Sequence, residues 1–307
     1  MKSIQSILGY AKQHRESPMA LASLVRTHGS TYRKPGARML ITPGGQTLGV
    51  LSGGCLEEII AQDGLDVLRD GQARLRMIDT RQYFGCEGRL EIFVERIEAA
   101  GENGNVLTDL ADRIGQRSQI CLGTRFSGSN VGSALANSFP LRINEDEVYI
   151  QRMPLPVRLF VFGQGPEIVP LKALADTLGW ILHVFDHPTE CGSEWIGDSQ
   201  TAALVMNHHF GKDAEAMLRI LPMSLPYIGI LGPRRRTQQL LSHLLDDGGG
   251  DPSSLDSVHS PAGLDIGSES PEEIVLSIVS EILAVLSGHQ AGFLSHRHEA
   301  VPALRCA

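Results

Sequence analysis

Two cysteines of this chain lie among glycines, Cys55 in Ser52-Gly53-Gly54-Cys55-Leu56-Glu57 and Cys86 in Gly85-Cys86-Glu87-Gly88. Leu56, Ile59, Ile60 and Leu68 repeat at helical spacing, so the glycine turn is predicted to open a helix that runs to about Arg69, where Asp70-Gly71 stops it. A thiol at a helix N-terminus feels partial positive charge and unpaired N–H groups, which favours the thiolate. Gly53 and Gly54 let a ligand approach the backbone closely, and the same geometry binds anions. Glu57 and Glu58 oppose both a thiolate and an anion unless they turn aside. A buried structural cysteine after a glycine turn is the plain alternative for Cys55, and a tight turn that happens to hold cysteine is the plain alternative for Cys86. Arg33, Lys34, Arg38 and Arg81 are cations able to contact a phosphate or another oxyanion, although each alone reads as a solvated surface residue.

A second set of residues lies further along. The apolar run Val157–Phe162 leads into Gly163-Gln164-Gly165-Pro166-Glu167-Ile168, a dinucleotide fingerprint with Ile168 in place of its third glycine. Asp186 ends the next apolar run, where an acid can meet a ribose hydroxyl. Asn207-His208-His209 and Gly232-Pro233-Arg234-Arg235-Arg236 follow two further runs, at strand ends where open α/β sheets bind ligands. The histidine pair suits acid–base or metal chemistry, or is simply exposed. Cations at a helix start are disfavoured, which points to an anionic partner for Arg234 or Arg235, with Asp265 a candidate within the chain.

These residues need elements to position them. Residues 3–16 read as a helix, Met19–Arg26 as a buried strand, Arg38–Thr42 and Thr47–Leu51 as a hairpin across Pro43-Gly44-Gly45, and 73–79 and 89–97 as further strands. A weaker helix and strand lead to about residue 150, and Met153-Pro154-Leu155-Pro156 reads as a linker. Beyond it, strands at 157–162, 180–185, 201–206 and 227–231 alternate with helices at 166–178, 212–220 and 234–245, the pattern of a parallel sheet with helices on both faces. Residues 246–257 read as a mobile loop. Pro271–Leu286 is a final helix capped by Ser270, with Glu272 and Glu273 at its positive end. The expected fold class is α/β, a mixed α+β N-terminal domain (1–150) followed by a Rossmann-like parallel-sheet domain (157–288) and a flexible tail (289–307).

The 307 residues carry a net charge of −8, which argues against a general nucleic-acid binder. No run of about 18 apolar residues suggests a membrane span, and the N-terminus lacks the apolar core of a signal peptide. The five widely spaced cysteines contain no CxxC, so reduced thiols in a cytoplasmic setting are expected.

Taken in order, the segments 29–39, 52–57, 162–165, 227–232 and 261–274 resemble the xanthine dehydrogenase accessory-factor family, XdhC/CoxI. The resemblance covers nearly the whole chain. It implies a chaperone, not a metabolic enzyme: a carrier that binds the molybdenum cofactor (molybdopterin), holds it during sulfuration by a cysteine desulfurase, and inserts it into a xanthine-dehydrogenase-type apoenzyme, with a homodimer possible. Under that reading Arg38, Gly53, Gly54, Cys55, Cys86, Gly163, Gly165, Asp186, His208 and Arg234 are the candidate cofactor contacts, and Cys55 or Cys86 the contact to thiophilic molybdenum, Cys55 first. Segments 166–168 and 207–209 depart from the family's usual pattern, leaving the ligand role of the second domain open. The alternative is an NAD(P)-dependent oxidoreductase built on Gly163, Gly165 and Asp186, with His208 as proton donor.

Overall fold

The computed structural model describes residues 2–29, 31, 33–52, 54, 56–79, 81, 88–135, 147–192, 195–246 and 255–296. The chain divides into two compact units, built on Met1–Leu155 and Pro156–Glu299.

The first unit centres on an antiparallel five-stranded sheet of order β3-β2-β1-β5-β4, from β1 (Met19–Gly29), β2 (Arg38–Ile41), β3 (Thr47–Gly49), β4 (Arg74–Asp79) and β5 (Gly88–Ile97). Successive side chains of a strand point to opposite faces, and β1 is buried from Met19 to Val25 because both of its faces are covered there. Met19 and Leu21 join Leu40 and Ile97 under helices α1 (Lys2–Gln13) and α3 (Val106–Gly115). Ala20, Ala22 and Leu24 join Met39, Ile41 and Val94 under α2 (Glu57–Asp70), which contributes Ile60 and Val67. Helix α3 begins with a capping box between Asn105 and Thr108. A separate three-stranded antiparallel sheet, β7-β6-β8, is formed by β6 (Ile120–Arg125), β7 (Gly132–Leu135) and β8 (Val148–Met153). Only one weak strand is readable there from sequence, because short strands interrupted by Ser and Gly carry little periodicity.

The second unit is the expected parallel sheet. Its order is β10-β9-β11-β12-β13, from β9 (Arg158–Phe162), β10 (Ile181–Phe185), β11 (Thr201–Val205), β12 (Tyr227–Ile230) and the two-residue β13 (Val258–His259). All four pairings are parallel. Helices α4 (Ile168–Leu178) and α7 (Pro271–Leu286) cover one face through Leu171, Ala175, Val275 and Ile278. Helices α5 (Phe210–Ile220) and α6 (Arg234–Asp246) cover the other through Met217, Ile220, Leu240 and Leu244. The α7 start is as expected: Ser270 and Glu273 form a capping box and Pro271 occupies the first turn.

Three expectations change. Helix α2 begins at Glu57, two residues beyond Cys55, because the Glu57 side chain ties the preceding loop into a compact non-helical turn. Cys121 is disulfide-bonded, against the expectation of reduced thiols, since a disulfide depends on how the fold brings two sulfurs together and not on sequence spacing. Most of the 246–257 loop and residues 297–307 of the tail lie outside the described residues, while Leu294–His296 forms one exposed 3-10 turn. No helix among the described residues is long and apolar enough to cross a membrane.

Helix α7 is fastened to the sheet edge by Glu281, whose carboxylate accepts from Tyr227 Oη (2.7 Å) and the Gly263 amide (2.7 Å) and lies 3.1 Å from His259 Nδ1. Burial alone would raise the Glu281 pKa, but bonds from His259, Tyr227 and Gly263 outweigh it and hold the carboxyl below its ordinary range. The folded pKa thus lies below the unfolded one, so this stabilisation is complete above the unfolded carboxylate pKa and is lost as pH falls through the folded value. Glu281→Ala leaves the fully buried Tyr227 hydroxyl without its acceptor and is expected to cost about 1–3 kcal/mol at pH 7. Urea denaturation should show that gap narrowing as pH falls below about 4.

Candidate functional site

Antiparallel order decides where the loops of the first unit meet. Strands β1, β3 and β4 run one way and β2 and β5 the other, so Gly29, Gly49 and Asp79 leave from the same sheet end at which Arg38 and Gly88 enter. The strand ends that lead into and out of the connections 30–37, 50–56 and 80–87 therefore lie at one sheet end. Gly53, Cys55 and Cys86 belong to two of these connections and themselves lie outside the described residues.

Around them the described residues are well defined. Gly54 is exposed with φ +114°, a conformation side chains rarely adopt, and no atom lies within 4 Å of the place a Cβ would take. The Glu57 carboxylate accepts from the amides of Leu51 (3.2 Å), Ser52 (2.8 Å) and Leu56 (3.1 Å) and from the Ser52 hydroxyl (2.8 Å). Burial works to raise its pKa, yet the bonds from Ser52 and Leu51 prevail and lower it. Glu57 is therefore held as a carboxylate whose oxygens are taken up by the turn. Glu58 is exposed.

The cations divide into two kinds. Arg38 is not a surface residue: it is 4% exposed, donates to the Gly36 carbonyl (3.1 Å) and to Gln151 Oε1, and keeps Nε and Nη2 without a partner among the described residues. Burial lowers its pKa to about 10, with Tyr149 and Glu95 acting the other way, so it remains charged at neutral pH. Glu95, also buried, has its pKa raised by desolvation, against bonds from Ser133. Arg33 and Lys34 are exposed, and Arg81 pairs with Asp79 at the surface. Glu91, 7% exposed, is held between Arg26 (3.5 Å) and His28 (3.2 Å) at the same sheet end.

In the second unit the strand order reverses direction at β9, since β10 lies on one side of it and β11 on the other. Such a switch point opens a crevice at the strand C-termini. Gly163 has φ +130°, and a Cβ there would stand 2.5 Å from the Met206 carbonyl oxygen, so the β9 and β11 loops touch backbone to backbone. Gly165 follows on the same loop. His208 adopts φ +55° and is exposed. The histidine pair separates: His209 caps α5 by accepting from Lys212 N (3.3 Å), and only His208 is left to the crevice. Asn207 turns to Asp213, which accepts from its amide and side chain (both 3.2 Å).

The arginine triplet is resolved differently from expectation. Arg236, one turn into α6, pairs with buried Asp213, whereas Arg234, Arg235 and Asp265 are exposed. Desolvation raises the Asp213 pKa, opposed by Asn207 and Arg236. Asp186 is exposed at the end of β10, its amide bonded to Glu190 Oε2 (3.2 Å). The structure thus gathers Gly163, Gly165 and His208 at the switch point, with Asp186 and Arg234 at neighbouring strand ends. The roles of Glu57, Asp213 and Arg236 are not readable from sequence because their partners come from folding. Among the described residues no group of three or more His, Cys, Asp or Glu is placed to hold a metal ion.

Comparison with known proteins agrees with this layout. Residues 159–282 match the XdhC Rossmann domain and residues 13–79 match the XdhC and CoxI family. A probable xanthine dehydrogenase subunit of Bacillus subtilis is 30% identical over 312 residues, covering 86% of this chain and 92% of the relative. The molybdenum cofactor insertion chaperone PaoD of Escherichia coli is 25% identical over 279 residues, 86% of this chain and 82% of the relative. A crystal structure from Bacillus halodurans, described as a xanthine dehydrogenase, shares the fold with a TM-score of 0.79 at 24% identity, over 95% of this chain and 97% of that one.

Glu57→Ala removes the acceptor for four donors and is expected to cost about 1–2 kcal/mol in chemical denaturation. Glu58→Ala, on the exposed side of the same turn, should change stability by less than about 0.5 kcal/mol.

Proposed function

Because the chain belongs to the XdhC and CoxI family, we propose that it is an accessory chaperone for the molybdenum cofactor and not itself a catalyst. The cargo is molybdopterin with its metal. The chaperone holds it while a cysteine desulfurase supplies the sulfur that replaces an oxo ligand, and then delivers it to a xanthine-dehydrogenase-type apoenzyme in the cytoplasm, acting alone or as a homodimer.

The observation that carries this reading is that the strand ends bounding the 30–37, 50–56 and 80–87 connections lie at one sheet end. Those connections contain Cys55, Cys86, the glycines and three of the cations, so one small anionic cargo meets soft sulfur and positive charge together. Molybdenum is thiophilic, which suits Cys55 as hand-over ligand and Cys86 as its second thiol. Arg33 and Lys34 suit the phosphate of the pterin. Arg38 adds positive potential from beneath the 30–37 connection. PaoD, named for cofactor insertion, supports the direction of transfer. The second unit, with Gly163, Gly165, Asp186, His208 and Arg234, serves to dock the client or to hold part of the ligand.

The protein purified from a cofactor-producing host should release pterin fluorescence on denaturation. Cys55→Ala should fold, by circular dichroism and melting, yet carry little or none. A folded Cys55→Ala protein with a full pterin load would remove Cys55 from the site, and a wild type without pterin would sink the chaperone reading.

A further inference from the structure

Parallel strands need a long crossover between them, and most crossovers of the second unit carry a full helix: α4 between β9 and β10, α5 between β11 and β12, α6 between β12 and β13. The crossover from β10 to β11 differs. Among its described residues the one helical piece is the three-residue 3-10 turn Pro188–Glu190. The segment still packs on the sheet face that α5 and α6 cover, to which it contributes Cys191 and Trp195. A loop fills less space than a helix. A cavity of about 490 Å³ remains between this crossover and the C-terminal end of α5, a size that suits a small organic ligand.

The cavity has an apolar wall and one charge. Trp195, Ile196, Pro222 and Met223 form the wall, and Arg219, the last residue but one of α5, is the charged lining residue. Trp195 is held edge-to-face, with ring centroids 5.5 Å from Phe160, 5.6 Å from Phe185 and 4.4 Å from His183. Ile196 is 72% exposed, so the rim shows water an apolar surface that a ligand would cover.

Arg219 is engaged only loosely. Nη1 donates to the Cys191 carbonyl and Nη2 to Glu215 Oε1, both at 3.4 Å, which is long for bonds from a cation. A guanidinium carries five N–H donors, so each terminal nitrogen keeps one for a further acceptor. Glu215 stands one turn earlier on α5 and is 37% exposed. A surface pair of this kind contributes little, and Glu215 can turn to water when a better-placed carboxylate arrives.

We infer that this cavity binds a small apolar monocarboxylate. The carboxylate meets the terminal nitrogens of Arg219 in place of Glu215, and the hydrocarbon body lies along Trp195, Ile196, Pro222 and Met223. One cation beside an apolar wall matches one negative charge on an apolar body. The site lies within the second unit and draws nothing from the cofactor reading.

The test is calorimetry on the full chain with octanoate and 2-naphthoate, each against its neutral amide. At least one acid should bind, and its amide should bind roughly tenfold or more weakly. Binding of octanoate alone assigns the site to an alkyl chain, and binding of 2-naphthoate alone assigns it to a planar ring. Arg219→Gln should lose roughly tenfold or more in affinity for the acid that binds. Ile196→Asp, which sets a like charge on the exposed rim, should weaken it as well. Glu215→Gln, which removes the competing carboxylate, should bind as tightly or more tightly. The inference is overturned by no binding of either acid, by equal affinity for acid and amide, by unchanged affinity in a folded Arg219→Gln or Ile196→Asp variant, or by weaker binding in Glu215→Gln. If Arg219→Gln does not fold, Ile196→Asp and the acid–amide comparison on the wild type decide. Pterin carried from the host is read separately, so the chaperone reading and this one can fail independently.

Discussion

The first unit depends on one strand that is satisfied on every side. β1 is hydrogen-bonded to β2 along one edge and to β5 along the other, and both of its faces are buried from Met19 to Val25. A strand in that position fixes the direction of its neighbours, and antiparallel alternation then sends every connection of one parity to the same sheet end. The meeting of these strand ends there follows from the sheet order and needs no contact between the loops themselves. Loops supply chemistry best when a rigid scaffold holds their ends. Here the holding points are Gly29, Arg38, Gly49, Asp79 and Gly88.

The second constraint is how carboxylates are handled near each candidate site. A buried carboxylate is tolerable when donors surround it. Glu57 collects four, Glu281 three, and Asp213 has Asn207 and Arg236. In each case the carboxylate locks a turn, a helix or a strand end. Glu91, between Arg26 and His28, follows the same pattern at the head of the first sheet. Glu167 departs from it, with a sealed oxygen and no donor among the described residues.

Much of this fold was legible in the sequence because its signals are local. The apolar runs ending at Phe162 and Met206, each followed by a turn and a helical stripe, read as strands of a parallel sheet. Ser270-Pro271-Glu272-Glu273 spells a helix start in four residues. The site was legible only as ingredients. That Arg38 would be buried depends on Gln151, 113 residues away. Arg236, and not Arg234 or Arg235, finds an acid because one turn of α6 aims it at Asp213 across 23 residues. His208 and His209 are indistinguishable as neighbours in a string, but the second sits at a helix cap and the first does not. The α2 start was misplaced for the same reason, since a glutamate that bonds backward to Leu51 and Ser52 reads in sequence simply as the first acid of a helix.

The incomplete glycine fingerprint shows how a missing residue differs from an altered function. Ile168 in place of the third glycine weakens helix–strand packing around a pyrophosphate, but by itself it says only that a dinucleotide would fit less well. The first two glycines are retained, and at Gly163 the retained one has work to do, since any Cβ would strike the Met206 carbonyl. At Gly165 the glycine accommodates the chain's own carboxylate. At Gly163 the backbone of a nucleotide fold is kept for its packing. A Rossmann-type topology and a GxG turn are not by themselves evidence for nicotinamide chemistry in this chain.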